Sequence, residues 1–286
     1  MSLDRAPIEI LTSIAPMSAS ADLWLCDIWG VLHNGVTPFQ SAVEACRRFR
    51  AAGGTVVLVS NAPRLNEAVR RQLDAIGVAG DVADAIVTSG DVSRAHLQAR
   101  PGARVLHIGP KRDLGFFAGL DVTLTDEAAA TVVVCTGLFD DTRETPQDYQ
   151  ALLARVRERG LPFVCANPDI KVERGGSIVW CAGALAQLFE DLGGTVEHAG
   201  KPHAPIYRRA LETAQALRGG PIGNDRILAI GDGVMTDILG ANSAGIRSVY
   251  VASAIHLAVP FSAAAVEGLF AVGPARPDAA MAALAW

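Results

Sequence analysis

The sequence predicts an α/β protein built on mainly parallel strands, and three observations carry that expectation. Short β-rich runs alternate with longer helical patterns along most of the chain. The helical stretches close on glycine, which ends a helix without steric cost. Polar residues with chemical potential follow several of the strands, at the end where parallel sheets collect ligands.

The expected strands are, in order, Leu23 to Cys26, Thr55 to Val59, Ala85 to Thr88, Val105 to Ile108, Val132 to Cys135, Pro162 to Cys165, Arg226 to Ile230 and Ser248 to Val251. A weaker candidate runs from Thr195 to His198. Helices fall between them. Ser41 to Ala52 is closed by Gly53-Gly54, Pro146 to Arg159 by Gly160, and Gly183 to Leu192 by Gly193-Gly194. Neither internal repeats nor low-complexity segments interrupt the pattern.

With 286 residues, half of them hydrophobic, the chain has room for one large domain or a core plus a module of about 100 residues, and disorder is excluded as its main state. Its charge, 25 Lys+Arg against 30 Asp+Glu, sums to −5, so no basic field exists to hold a nucleic-acid polymer or an anionic membrane. The five cysteines, Cys26, Cys46, Cys135, Cys165 and Cys181, are widely spaced without a CxxC pair and read as buried thiols in a reducing compartment. Asp4, Arg5 and Glu9 break any export signal within Met1 to Ala21. The apolar tract from Ser253 to Ala275 is broken by His256, Pro260, Glu267 and Gly268, which makes a membrane span a poor reading. A cytoplasmic location is therefore expected.

Four polar groups mark the strand ends. Asp27 is followed by apolar Ile28-Trp29-Gly30-Val31-Leu32, where a turn-forming aspartate would be followed by polar residues. A carboxylate at that point has to be paired, metal-bound or shifted in pKa. Ser60-Asn61 offers a hydroxyl and an amide to an oxyanion, or simply forms a turn. Lys201, between Gly200 and Pro202, suits a fixed point charge against phosphate, although most lysines only solvate a surface. Asp232 and Asp237 lie five apart around the expected start of a helix. Carboxylates from separate strand ends suit Mg²⁺, which takes one or two of them plus waters and substrate phosphate; the alternative for Asp237 is a helix cap or ion pair.

The ordered set Asp27-Ile28-Trp29-Gly30-Val31-Leu32, Ser60-Asn61, Gly200-Lys201-Pro202 and Gly231-Asp232 with Asp237 resembles the four motifs of the haloacid dehalogenase superfamily. The long gap between Asn61 and Lys201, with Ala166-Asn167-Pro168-Asp169 and Gly183-Ala184-Leu185 inside it, resembles class IIA, the NagD type. The resemblance implies a doubly wound, mainly parallel Rossmann-like core sheet, from residues 1–100 and 196–286, with an inserted α/β cap domain of the C2 type over 101–195. It implies a phosphatase for a small phosphorylated metabolite. Asp27 would be the nucleophile; Asp27, the Trp29 carbonyl and Asp232 would hold Mg²⁺ with Asp237 in support. Ser60, the neighbourhood of Asn61, and Lys201 would hold the phosphoryl group, and Asn167 would contact substrate.

One position departs from that pattern. Where the family's phosphatases carry a second aspartate as general acid and base, this chain has Trp29, whose indole cannot transfer that proton. His33 and His203 are the candidates for a substitute acid, while Tyr207 reads as a packing residue. Two other readings stay open: a degenerate member that binds phosphorylated ligands with little turnover, and C–P or C–halogen cleavage, for which Lys111 and Lys171 are weak candidates as imine-forming lysines. The mixed charges of Gly137 to Arg143 and Asn167 to Glu173 leave sugar phosphates, nucleotides and pyridoxal phosphate all open as substrates. A homo-oligomer is equally open.

Overall fold

The computed structural model describes residues 6–174, 177–252 and 259–286. The expectations on Asp4 and Arg5, and on His256 within the apolar tract, lie outside the described residues. The chain forms two compact units, one of Met1–Val59, Arg70–Ile86 and Tyr207–Trp286, the other of Ser60–Val69 and Val87–Ile206.

In chain order the strands are β1 (Glu9–Leu11), β2 (Leu23–Cys26), β3 (Thr55–Ser60), β4 (Ala85–Thr88), β5 (Ala103–Ile108), β6 (Val122–Leu124) and β7 (Val132–Cys135). They continue as β8 (Phe163–Cys165), β9 (Lys171–Arg174), β10 (Ser177–Trp180), β11 (Val196–His198), β12 (Ile227–Gly231), β13 (Arg247–Val251) and β14 (Ala279–Met281). The expected strands fall on this set within two residues at either end.

The first unit is built on a seven-stranded sheet in the order β1-β14-β13-β12-β2-β3-β4. The pairs β1/β14, β14/β13, β13/β12, β12/β2 and β2/β3 are parallel. Every residue of β2, β3 and β12 is buried, as the unbroken apolar runs require of strands covered on both faces. The chain runs outward from β2 through β3 to β4, then resumes on the other side of β2 with β12. Connections therefore diverge between β2 and β12, which opens a crevice at their carboxyl ends. The helix Gln40–Ala51 turns Ala42, Val43, Ala45, Cys46 and Phe49 inward, and Phe49 stacks on Trp24 of β2 with ring centroids 4.3 Å apart.

The second unit holds a five-stranded sheet in the order β11-β8-β7-β5-β6, with parallel neighbours, and the antiparallel hairpin β9/β10. Phe163 of β8 stacks on Phe189 of the helix Ala182–Asp191 at 4.9 Å, in a core shared with Ile108, Val133, Leu153 and Leu185. The helix expected over Pro146 to Arg159 begins as a 3₁₀ turn, Pro146–Tyr149, before the α-helix Gln150–Glu158. Its start is fixed by a capping box between Thr145 and Asp148.

All five cysteines are buried free thiols. Burial pushes the Cys165 thiol up to about 12, which keeps it protonated and unreactive. Among the described residues, no helix is long and apolar enough to cross a membrane.

Candidate active site

Asp27 is the first residue beyond β2, and its N–H donates to the Ile230 carbonyl at 2.8 Å, which carries the β2/β12 pairing one step past its last register pair. Asp232 is the first residue beyond β12. Asp237 lies in a π-helical turn, Val234–Ile238, that leads into the short helix Leu239–Ser243. The wide turn folds Asp237 back toward the strand end, where a regular helix start had been expected. Carboxylate oxygens of Asp27, Asp232 and Asp237 all lie within 4.8 Å of one another, and the three residues are only 6–7% exposed.

Like charges that close repel by about 3 kcal/mol per pair at an effective dielectric near 20, so the trio calls for a cation or bound protons. An all-carboxylate set, without sulfur or imidazole, suits a hard divalent ion such as Mg²⁺ or Ca²⁺. The backbone makes room for the trio. At Gly30, φ is +86°, and a Cβ there would stand 2.2 Å from Asp232 Oδ2. Asp237 is held by its own turn: its Oδ2 accepts from the Gly233 N–H at 3.1 Å. Behind it, the Tyr207 hydroxyl donates to the Asp237 carbonyl at 3.2 Å, and Tyr207 is buried, as expected of a packing residue.

Trp29 lies on a tight loop whose Gly30 N–H donates to the His33 carbonyl at 2.9 Å. Its indole covers Gly35, where φ is +92° and a Cβ would come within 2.5 Å of the ring. The His33 ring meets the indole edge-on at 5.0 Å, and its Nδ1 accepts from the Gly35 N–H at 2.7 Å. A neutral His33 therefore carries its proton on Nε2.

The other expected residues gather in the second unit, at the carboxyl ends of β3, β8 and β11. Ser60 Oγ accepts from the Ala62 N–H at 3.2 Å, a contact that leaves the hydroxyl proton to be donated elsewhere. The Asn61 carboxamide meets Lys201 and Asp169: Oδ1 accepts from the Lys201 N–H at 2.7 Å, and Nδ2 donates to Asp169 Oδ1 at 2.8 Å. Lys201 is 3% exposed, so it is not a surface-solvating lysine. Asn167 is buried and its Oδ1 accepts from the Asp169 N–H at 3.1 Å. Asp169, in the Ala166-Asn167-Pro168-Asp169 run, is a further member of this cluster that the sequence alone does not mark. A carboxylate following Asn-Pro reads as a turn former until its partner is known.

His203 stacks flat on His198, ring centroids 4.1 Å apart, and His198 Nε2 lies 3.1 Å from Glu190 Oε1. Burial, then the neighbouring His198 ring, pulls His203 down to about 4, against a smaller opposite pull from Glu190. A ring neutral across the physiological range makes a poor proton donor. Lys171 Nζ lies 3.9 Å from the ring centroid of Trp180, its cross-strand partner in the β9/β10 hairpin.

Comparison with known proteins addresses the family. The haloacid dehalogenase-like hydrolase family matches residues 24–123, and a second HAD-hydrolase-like family matches 198–275. A crystal structure of a haloacid dehalogenase-like hydrolase from Brucella suis 1330 is 48% identical, with a TM-score of 0.82 over 85% of this chain and 93% of that one. The ribonucleotide monophosphatase NagD of Escherichia coli K12 is 26% identical over 234 residues, 81% of this chain and 87% of the relative. The glycerol phosphate phosphatase of Mycobacterium tuberculosis, crystallised in complex with magnesium, is 25% identical with a TM-score of 0.64, covering 86% of this chain and 74% of that one. A parallel sheet with aspartates at its switch point, matched at this level, defines a hydrolase of the haloacid dehalogenase-like family, and the chain belongs to it. Within that family it is of class IIA, the NagD type.

Two tests follow from the geometry. Gly30→Ala should lose about 1–2 kcal/mol from the left-handed backbone alone, and more from the contact with Asp232; urea unfolding measures it, and unchanged stability would mean the loop relaxes freely. Between pH 6.5 and about 4, an unfolded His203 binds a proton that the folded one refuses, so this residue lowers stability as the pH falls through that window. His203→Gln should therefore shrink the drop in Tm between pH 7 and pH 4.5, and an unchanged drop would contradict the assignment.

Proposed function

We propose that the chain is a Mg²⁺-dependent phosphatase that hydrolyses a small phosphorylated metabolite through an aspartyl-phosphate on Asp27. The observation that carries this reading is the buried trio of Asp27, Asp232 and Asp237 at the β2/β12 crevice. Relatives named as phosphatases for ribonucleotides and for glycerol phosphate support the substrate class, and the magnesium complex of one of them supports the metal.

Asp27 and Asp232 with the Trp29 main-chain carbonyl are the ligands assigned to the ion, and Asp237 supports Asp232 from its turn. Bound Mg²⁺ supplies positive charge to the nucleophile's site and to the phosphoryl oxygens. The Asp27 carboxylate attacks phosphorus, the P–O bond to the leaving oxygen breaks, and water then cleaves the acyl phosphate to restore Asp27 and release phosphate. Ser60 donates its hydroxyl proton to a phosphoryl oxygen, and Lys201 lends a fixed positive charge. The substrate-reading cap domain expected over 101–195, between core segments 1–100 and 196–286, is carried by the five-stranded sheet, which also takes in β11 beyond that boundary, with Asn167 among the cap's substrate contacts. A cytoplasmic setting fits five free, buried thiols.

Trp29 sets the leaving-group preference. Without a carboxylic acid at that position, the departing oxygen must leave largely unprotonated, and general acid catalysis of about 10²- to 10⁴-fold is forgone. The same observation favours the second reading, a ligand-binding member with little turnover. Purified protein should hydrolyse 4-nitrophenyl phosphate far faster than glycerol phosphate, only with Mg²⁺, and Asp27→Asn should abolish both. Trp29→Asp should raise glycerol phosphate turnover. Equal wild-type rates on the two esters would reveal another acid, and absence of turnover on either would leave the binding reading.

A further inference from the structure

We propose that Asn61 is a positioning residue whose carboxamide clamps the main chain of Lys201 and so places the lysine's charge, with Asp169 fixing the amide's orientation. The inference rests on the phosphatase reading for its consequence in catalysis, and on the second unit alone for its geometry.

Asn61 brackets one residue from both sides. Its Oδ1 accepts from the Lys201 N–H at 2.7 Å, and its Nδ2 donates to the Lys201 carbonyl at 3.1 Å. The two groups are 140 positions apart in sequence, so this pair ties the loop after β3 to the loop after β11. A second proton on Nδ2 goes to Asp169 Oδ1 at 2.8 Å, from the loop after β8. One side chain thus joins three strand-end loops.

The orientation of the amide follows from its partners. An N–H faces one end, and a carbonyl and a carboxylate face the other, so only one of the two flips satisfies all three. The charged Asp169 makes the wrong flip costly, since it would set the amide oxygen against a carboxylate. Asp169 is itself anchored: its N–H donates to Asn167 Oδ1 at 3.1 Å, and its carbonyl accepts from the Gly183 N–H at 3.2 Å. Asn61 and Lys201 are both buried, so the bonds are made away from competing water. Gly200 gives the clamp its room, because a Cβ there would come within 2.4 Å of Asn61 Oδ1.

This arrangement changes what Asn61 can offer a ligand. Its carboxamide is already engaged at both ends, so its part in phosphate handling runs through Lys201. Lysine carries its ammonium on four flexible methylenes, and a charge that must meet a developing oxyanion gains from a fixed root. Hydrogen bonds to both the N–H and the carbonyl of Lys201 fix that root.

The test uses the full-length protein, with 4-nitrophenyl phosphate as substrate and hydrogen exchange at the Lys201 amide as the readout of the clamp. Asn61→Ala should speed Lys201 exchange and lower kcat by 10- to about 100-fold, with a smaller change in KM. Asn61→Asp sets a carboxylate against Asp169 and should be at least as impaired, whereas Asn61→Asp combined with Asp169→Asn restores a donor–acceptor pair and should recover part of both the protection and kcat. Gly200→Ala, which keeps Asn61, Asp169 and Lys201 but pushes a methyl group against Asn61 Oδ1, should loosen the Lys201 amide in the same direction. Unchanged Lys201 exchange in folded Asn61→Ala, or a double variant no better protected than Asn61→Asp, would overturn the clamp. If wild-type protein turns over no phosphate ester while Asn61→Ala still loses Lys201 protection, the clamp stands and the phosphatase reading falls.

Discussion

Three carboxylates buried within 4.8 Å of one another are the constraint on which the first unit's architecture turns. Such a set is unstable as an isolated cluster of negative charge, so the fold has to hold it in place against repulsion. Parallel pairing of β2 with β12 brings Asp27 and Asp232 to neighbouring strand ends, and fully buried strands keep those ends from shifting. The third carboxylate needs a wider turn than an α-helix start provides, and the π turn Val234–Ile238 supplies it. Gly30 then accommodates the result with a positive φ and no side chain. Topology, strand burial and two local backbone irregularities serve one electrostatic purpose.

Most strands of both sheets were legible in the sequence, and a few short ones were not. Strands β2, β3 and β12 announce themselves because burial on both faces demands continuous apolar runs. Strands β1, β14 and β6 are three residues each, and β1 and β6 are largely exposed, so their residues carry no such run. The hairpin β9/β10 opens with Lys171-Val172-Glu173-Arg174, a polar strand that reads as loop. Asp27 stood out for a related reason: a carboxylate inside an apolar stretch has no ordinary explanation. Asp169 did not, because its partner Asn61 lies 108 positions away and nothing local distinguishes it from a turn aspartate.

On the proposed reading, Trp29 would leave the metal site intact and remove a proton donor. That reading gives the position's carbonyl to the ion and its side chain to acid–base work, so an indole would affect only the second. The loop has adapted to the large ring: Gly35 lies beneath it with a positive φ, and His33 braces its edge while its Nδ1 is held by the Gly35 N–H. Trp29, His33 and Gly35 therefore form one packed group, and His33 takes part in it as a bracing ring. Restoring an aspartate at position 29 would leave Gly35 and His33 facing a void, so recovery of acid catalysis competes with loss of loop packing.

The same division of labour reaches the second unit, where one polar side chain places another. A lysine buried to 3% exposure forfeits hydration of its charge, and a fold accepts that cost where the charge has a fixed use. The clamp acts on the lysine's main chain, through its N–H and its carbonyl. Asn61 is suited to that task because a carboxamide matches a peptide group, donor to carbonyl and acceptor to N–H. A carboxylate in its place would match only the N–H, and a hydroxyl is too short to span both. The chemistry of the peptide group, more than that of phosphate, thus explains why asparagine follows Ser60 here.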